Sequence, residues 1–219
     1  DGIIRVNPTR KAIIKGNQKR KKKQKFLNMD ELQALLSELN LSSEVNWEWF
    51  IYLISKTGLR FAEALALTPA DFDYENQQIN INKSWNYKFK DYGFQPTKNK
   101  SSNRKIFVDD STLKAFKKLI KEKDPDQPIF VNQDQKIFNS TVNSRLATLC
   151  RHANIPTISI HGLRHTHASL LLFQGVSVLS VSRRLGHANI TTTQETYLHI
   201  IKELETKDNR KILKHLKEL

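Results

Sequence analysis

The sequence predicts a mainly α-helical chain with one small antiparallel β-sheet, an α+β fold. Two observations lead there. Apolar residues recur at helical spacing on both sides of a central interval, and inside that interval, residues 78–108, the period falls to two. A basic run, residues 1–25, precedes both patterns without a sustained apolar period of its own.

The helical pattern begins after Phe26. Asn28 is a candidate N-cap with Glu31 three residues on, and Leu32, Leu35, Leu36 and Leu39 then fall on one face. Trp47, Phe50, Ile51 and Ile54 carry the period to Gly58, and residues 61–67 form a further short helix that ends near Pro69. Residues 78–81, 84–89 and 104–108 alternate apolar with polar, which predicts strands, and the polar stretch 98–103 gives the sheet a basic loop. Helical spacing returns over residues 113–120, 142–152, 161–173, 176–184 and 192–216, with breaks at Pro125, Pro128, Pro156, Gly175 and Gly186.

Charge narrows the partner. The 219 residues hold 36 Lys and Arg against 22 Asp and Glu, a formal net charge of +14, so a polyanion is the first candidate. Residues 1–25 carry ten of those basic side chains against Asp1 alone. They read as a basic interdomain linker, residues 1–25, ahead of a folded domain, residues 26–219. Such a run either follows DNA phosphates or serves as a solvated tail. With 38% hydrophobic residues and no long apolar run, a transmembrane helix is excluded. The single cysteine, Cys150, excludes an intramolecular disulfide framework and a multi-cysteine zinc site, and it suits a reducing compartment. The chain starts at Asp1 with no signal-peptide pattern and is expected to be part of something longer.

Three segments place cationic or titratable groups at helix edges. Arg60 follows the Gly58 turn and stands three residues before Glu63, which puts guanidinium and carboxylate on one helix face, as a surface ion pair or as something more. His161 and Arg164 are likewise three apart and face one way, with Leu163, Ala168 and Leu171 supplying the buried side. Arginine offers a permanent planar fork for phosphate, and histidine can donate to a further oxygen or exchange a proton near neutral pH. His161, His165 and His167 also invite a metal reading, but no acidic residue lies between Asp134 and Glu195, so no metal site is expected and His165 and His167 read as packed helix histidines. The third segment is Leu185-Gly186-His187, followed by Tyr197.

In their order, Arg60, a lysine in a basic hairpin, His161-x-x-Arg164, Leu185-Gly186-His187 and Tyr197 resemble the catalytic domain of the tyrosine recombinases, the integrases of phages and conjugative elements. The resemblance runs from about Phe26 to Ile200, and the segment around Asn7-Pro8 is similar to the junction that follows a DNA-clamping domain in integrases of Gram-positive elements. It implies that Arg60, Arg164, His161 and His187 surround a scissile phosphate. Tyr197 attacks to form a 3′-phosphotyrosine, and a lysine protonates the departing 5′ oxygen. Two fixed guanidiniums stabilise charge that grows as the nucleophile adds. Tyrosine, with a free pKa of roughly 10, needs assistance. His161 is the expected helper, and His187 the expected donor to a non-bridging oxygen.

Lys98 and Lys100 both fit the lysine position, Lys98 slightly better, although Asn99 stands where the family often has threonine. Glu63 fits a supporting position that orients the arginines. Lys19, Arg20, Lys21, Lys22, Lys23, Lys25 and Arg104 are expected to contact DNA. The family likeness further implies att-type duplex DNA as substrate, no cofactor, metal or ATP, a homotetramer on DNA with accessory DNA-bending or excision factors, and a nucleoid-associated place in a bacterial cytoplasm. The apolar side chains Ile200, Ile201, Leu204, Ile212, Leu213, Leu216 and Leu219 either close the chain's own core or, as in family members, pass to a neighbouring protomer. A DNA-binding regulator that kept the fold without the chemistry, and a type IB topoisomerase that shares it, are the other readings.

Overall fold

The computed structural model describes residues 26–88, 93–131, 137–198, 200–201, 209, 212–213 and 216. Lys19, Arg20, Lys21, Lys22, Lys23 and Lys25 lie outside the described residues, as do Leu204 and Leu219. Local signals produce the first helices much as the sequence suggests. Helix α1 (Met29–Ser37) is closed at its start by a reciprocal pair: the Asn28 side chain accepts from the Glu31 amide at 2.9 Å and the Glu31 carboxylate accepts from the Asn28 amide at 2.8 Å. Helix α2 (Trp47–Thr57) starts at Asn46 and stops at Gly58, whose φ of 69° is open to glycine and costly for other residues. Helix α3 (Phe61–Leu65) follows at once.

The sheet region departs from expectation. Among the described residues there are two small antiparallel sheets in place of one. Strands β1 (Phe72–Asp73), β2 (Gln78–Ile81) and β5 (Arg104–Phe107) form one in the order β1-β2-β5. Strands β3 (Lys83–Asn86) and β4 (Gly93–Pro96) form the other, with Trp85 opposite Phe94. The missed strands have a plain reason: β1 is two residues long, and β4 is largely exposed, so it carries no buried alternation to read.

Helices α4 (Asp110–Leu119), α5 (Asn139–His152), α6 (Ile160–Phe173), α7 (Val178–Leu185) and α8 (Ile190–Thr196) follow. The continuous helix expected over residues 192–216 is interrupted: α8 ends at Thr196, and Tyr197 (φ −112°, ψ 20°) caps it outside helical geometry. The main core gathers Phe50, Leu53, Trp85, Phe116 and Leu146 between α2, the sheets, α4 and α5. A smaller cluster joins Ala168, Leu172, Val181, Leu185, Tyr197 and Ile200, so the Tyr197 ring is held between α6 and α7. Among the described residues no helix is long and apolar enough to cross a membrane.

Candidate active site

Two helix ends build the site. A helix leaves its last carbonyls without intrahelical partners. At the end of α2 the Gly58 carbonyl accepts from Arg164 Nη1 at 2.6 Å, and at the end of α7 the Leu185 carbonyl accepts from Arg164 Nη2 at 2.7 Å. The next carbonyl, Gly186, accepts from Arg60 Nη2 at 2.7 Å. Adjacent backbone oxygens thus hold the two guanidiniums side by side. Both turns need glycine, because a Cβ at Gly58 would come within 2.6 Å of the His167 ring and one at Gly186 within 2.8 Å of Arg104 Nη1.

Glu63 balances this positive charge. Its side chain takes Arg60 Nη1 at 2.7 Å and Arg104 Nη2 at 2.9 Å, and the residue is 3% exposed. Burial alone would raise its pKa, yet the Arg104 and Arg60 guanidiniums hold it below the ordinary glutamate value. The Arg60–Glu63 pair is therefore part of a buried triad and not a solvated surface contact. Arg104 differs from expectation. Its side chain is largely buried on Glu63 and also donates to the Arg184 and Ser102 carbonyls, so its guanidinium is spent on the protein and not offered to DNA phosphates.

Ser102 Oγ lies 3.3 Å from Arg60 Nη1, at the end of a single 3-10 turn, Lys100–Ser102, that the Asn99 side chain caps. Asn99, the departure from the family's usual threonine, builds the turn beneath Arg60. Lys98 and Lys100 flank it, both exposed, and the structure leaves both as candidates.

Helix α6 brings the histidines. Arg164 is buried, whereas His161, one turn earlier, is exposed. Partial desolvation, then Arg164 and Arg60, lower the His161 pKa. His187 is pushed down to about 4 by desolvation and by Arg164, Arg60 and Arg104, and its Nδ1 pairs with the buried Thr193 hydroxyl at 2.7 Å. Tyr197 is 2% exposed, and burial pushes its phenol up to about 12 against a smaller opposing effect of Arg164. The Arg164 charge acts on His161, His187 and Tyr197 alike, and that of Arg60 on both histidines.

Sequence reasoning missed one contact. The Tyr197 hydroxyl meets His165 Nδ1 at 2.9 Å, not His161. The ring of His161 instead stands edge-on to that of His165, with centroids 4.5 Å apart. The available signal was the i, i+4 spacing of His161 and His165, which puts both rings on one face of α6.

His167 is the packed histidine the sequence suggested. Its Nδ1 pairs with the Ser55 carbonyl at 3.0 Å, and its Nε2 accepts from Arg184 Nε at 2.8 Å. Burial, followed by the Arg184 charge, pushes its pKa down to about 3. A histidine lowered in the folded state contributes stability that is complete above its unfolded pKa and is lost as pH falls below it, because the unfolded chain then binds the extra proton. Resistance to urea is expected to drop by about 2 kcal/mol between pH 7 and pH 5 from this group alone. A flat profile across that window would contradict the buried neutral imidazole.

A cluster of this sign is built to receive an anion beside a phenol. Residues 25–203 match the phage integrase family, and the chain belongs to that family. It is 27% identical over 191 residues to the ICEBs1 integrase of Bacillus subtilis strain 168, covering 82% of this chain and 52% of that protein. To the integrase of Staphylococcus phage L54a it is 31% identical over 173 residues, covering 72% of this chain and 49% of that protein. The chain spans about half the length of these relatives. Its fold is that of the Tn1549 transposon integrase solved in complex with transposon right end DNA, at a TM-score of 0.65 and 23% identity, covering 77% of this chain and 60% of that one. XerA recombinase superposes at 0.64 with 21% identity, covering 88% and 66%.

Proposed function

We propose that this chain is the catalytic part of a site-specific recombinase of a mobile element, which cuts and rejoins duplex DNA through Tyr197. The observation that carries the reading is the pair of guanidiniums fixed by the successive carbonyls of Leu185 and Gly186, with the buried Tyr197 in one packed cluster with Leu185. In this reading Arg60 and Arg164 bind the non-bridging oxygens of one phosphodiester. Their forks are set before substrate arrives, so no reorganisation is needed as charge builds in the transition state. His187 Nδ1 is paired with the Thr193 hydroxyl, and in this reading that hydroxyl is the donor, so Nε2 carries the proton that His187 gives as a hydrogen bond to the phosphate.

Tyr197 Oη attacks phosphorus, the bond to the 5′ oxygen breaks, and Lys98 or Lys100 supplies the proton that the leaving oxygen needs. The 3′-phosphotyrosyl link keeps the phosphodiester energy, so a 5′ hydroxyl of another strand can attack it and release Tyr197 without ATP. Each cleaved strand needs its own Tyr197, which makes the assembly a homotetramer on two duplexes. Lys19, Arg20, Lys21, Lys22, Lys23 and Lys25 neutralise backbone phosphates beside the domain. Both the family relationship and the DNA complex of the Tn1549 transposon integrase, whose fold this chain shares, support this reading.

The test uses duplexes tiling the DNA on both sides of the chain's own gene, incubated pairwise in EDTA without nucleotide. Strand exchange between two of them is the expected result. Tight binding to those duplexes with no exchange and no nicking would favour the regulator reading instead.

A further inference from the structure

We infer that His165 is the group that takes the proton from Tyr197 when its oxygen attacks phosphorus. This rests on the strand-cleavage reading above and adds to it a residue that the resemblance did not assign to the chemistry. The hydrogen bond between Oη and Nδ1 is 2.9 Å long, and the two ring centroids lie 5.8 Å apart at 60°, so the imidazole meets the hydroxyl with its edge and does not stack on the phenol. Proton transfer needs that geometry. Burial keeps Tyr197 protonated at neutral pH, so the phenol has a proton to give, and in the Nε2–H tautomer the lone pair of His165 Nδ1 is placed 2.9 Å away to accept it. An accepting Nδ1 belongs to a neutral imidazole, which is a base.

His161 does not share this position. It is exposed, and its ring stands at 85° to that of His165, which makes the direct contact with Tyr197. As Oη–P forms, the phenolic proton passes to Nδ1 and the 5′ oxygen departs with the proton of the lysine; on rejoining, His165 returns its proton to Oη. The neighbouring Arg164 charge favours the phenolate that develops on the way.

The test follows single-turnover formation of the SDS-stable adduct on nicked duplexes from the tiling set. His165→Leu is expected to slow it by about 10²- to 10⁴-fold, the usual range for a general base, while DNA affinity stays level. His165→Asn, which keeps an acceptor near the Nδ1 position without useful basicity, should be slow as well. The decisive arm replaces Tyr197 in the His165→Leu protein with a fluorinated tyrosine, whose phenol is more acidic and needs less help. Recovery of much of the lost rate is expected, and a merely structural role would not produce it. A bridging sulfur in place of the 5′ oxygen removes the need for the lysine's proton, and it should leave the His165 defect in place. Wild-type rates in His165→Leu, full rescue by His165→Asn, or no recovery with the acidic phenol would each overturn the assignment. If the unaltered protein forms no adduct on any duplex, the strand-cleavage reading falls first and this one with it.

Discussion

Glu63→Ala is expected to lower folding stability by about 3–5 kcal/mol, the range for removing one partner from a buried ion pair. Glu63 is the counter-charge to Arg60 and Arg104 and is itself buried, so its loss leaves two guanidiniums side by side without compensation. Arg104 would keep only the Arg184 and Ser102 carbonyls. Glu63→Gln should fall between, because an amide oxygen can still accept one hydrogen bond but brings no charge. Guanidinium titration at neutral pH reads the effect. The pH dependence has a defined sign: a carboxylate held below its ordinary pKa adds stability above that value and loses it as pH falls through the folded one, here below about 4.5. A change under about 1 kcal/mol for the alanine variant would mean that the triad is solvated in practice.

Arg60→Ala should reduce the rate of strand cleavage by at least about 10²- to 10³-fold, the usual result of deleting one pre-set donor to a developing oxyanion. DNA binding should change far less, because most affinity comes from phosphate contacts elsewhere, and the slope of log affinity against log salt should fall by about one phosphate's worth. Arg60→Lys is not expected to rescue. The arginine fork reaches Glu63, Ser102 and the Gly186 carbonyl at once, and an ammonium cannot span those three directions while facing a phosphate. Equal losses in binding and cleavage would instead make Arg60 a simple anchor.

How much of this was legible in the sequence depends on how local each feature is. The Asn28–Glu31 capping pair, the Gly58 stop and the extent of α6 arise from residues within a few positions of one another, and the sequence predicts each of them. The order of Arg60, His161-x-x-Arg164, His187 and Tyr197 was also visible, because it is a pattern of types and spacings. What escaped is non-local. The bond from Arg60 to Gly186 spans 126 positions and that from Arg104 to Glu63 spans 41, and no periodicity in either segment announces them. Arg104 therefore read as one more basic residue for DNA. Its long side chain folds back onto a carboxylate that sequence alone places on another element. That His165 packs was legible, but its partner was not, since Tyr197 is 32 residues away. Tyr197 breaks the helical run it sits in because its ring packs into the cluster between α6 and α7, a tertiary demand that overrides local spacing.

The most direct test of the central claim is to find the residue that carries the DNA. The protein is incubated in EDTA with nicked duplexes from the flanking set, the SDS-stable product is digested with protease and nuclease, and the remaining nucleotide is mapped by mass spectrometry beside a Tyr197→Phe control. The account predicts a single 3′-phosphonucleotide on Tyr197 and no adduct in the control. An adduct on any other residue, or one that persists in Tyr197→Phe, would contradict it.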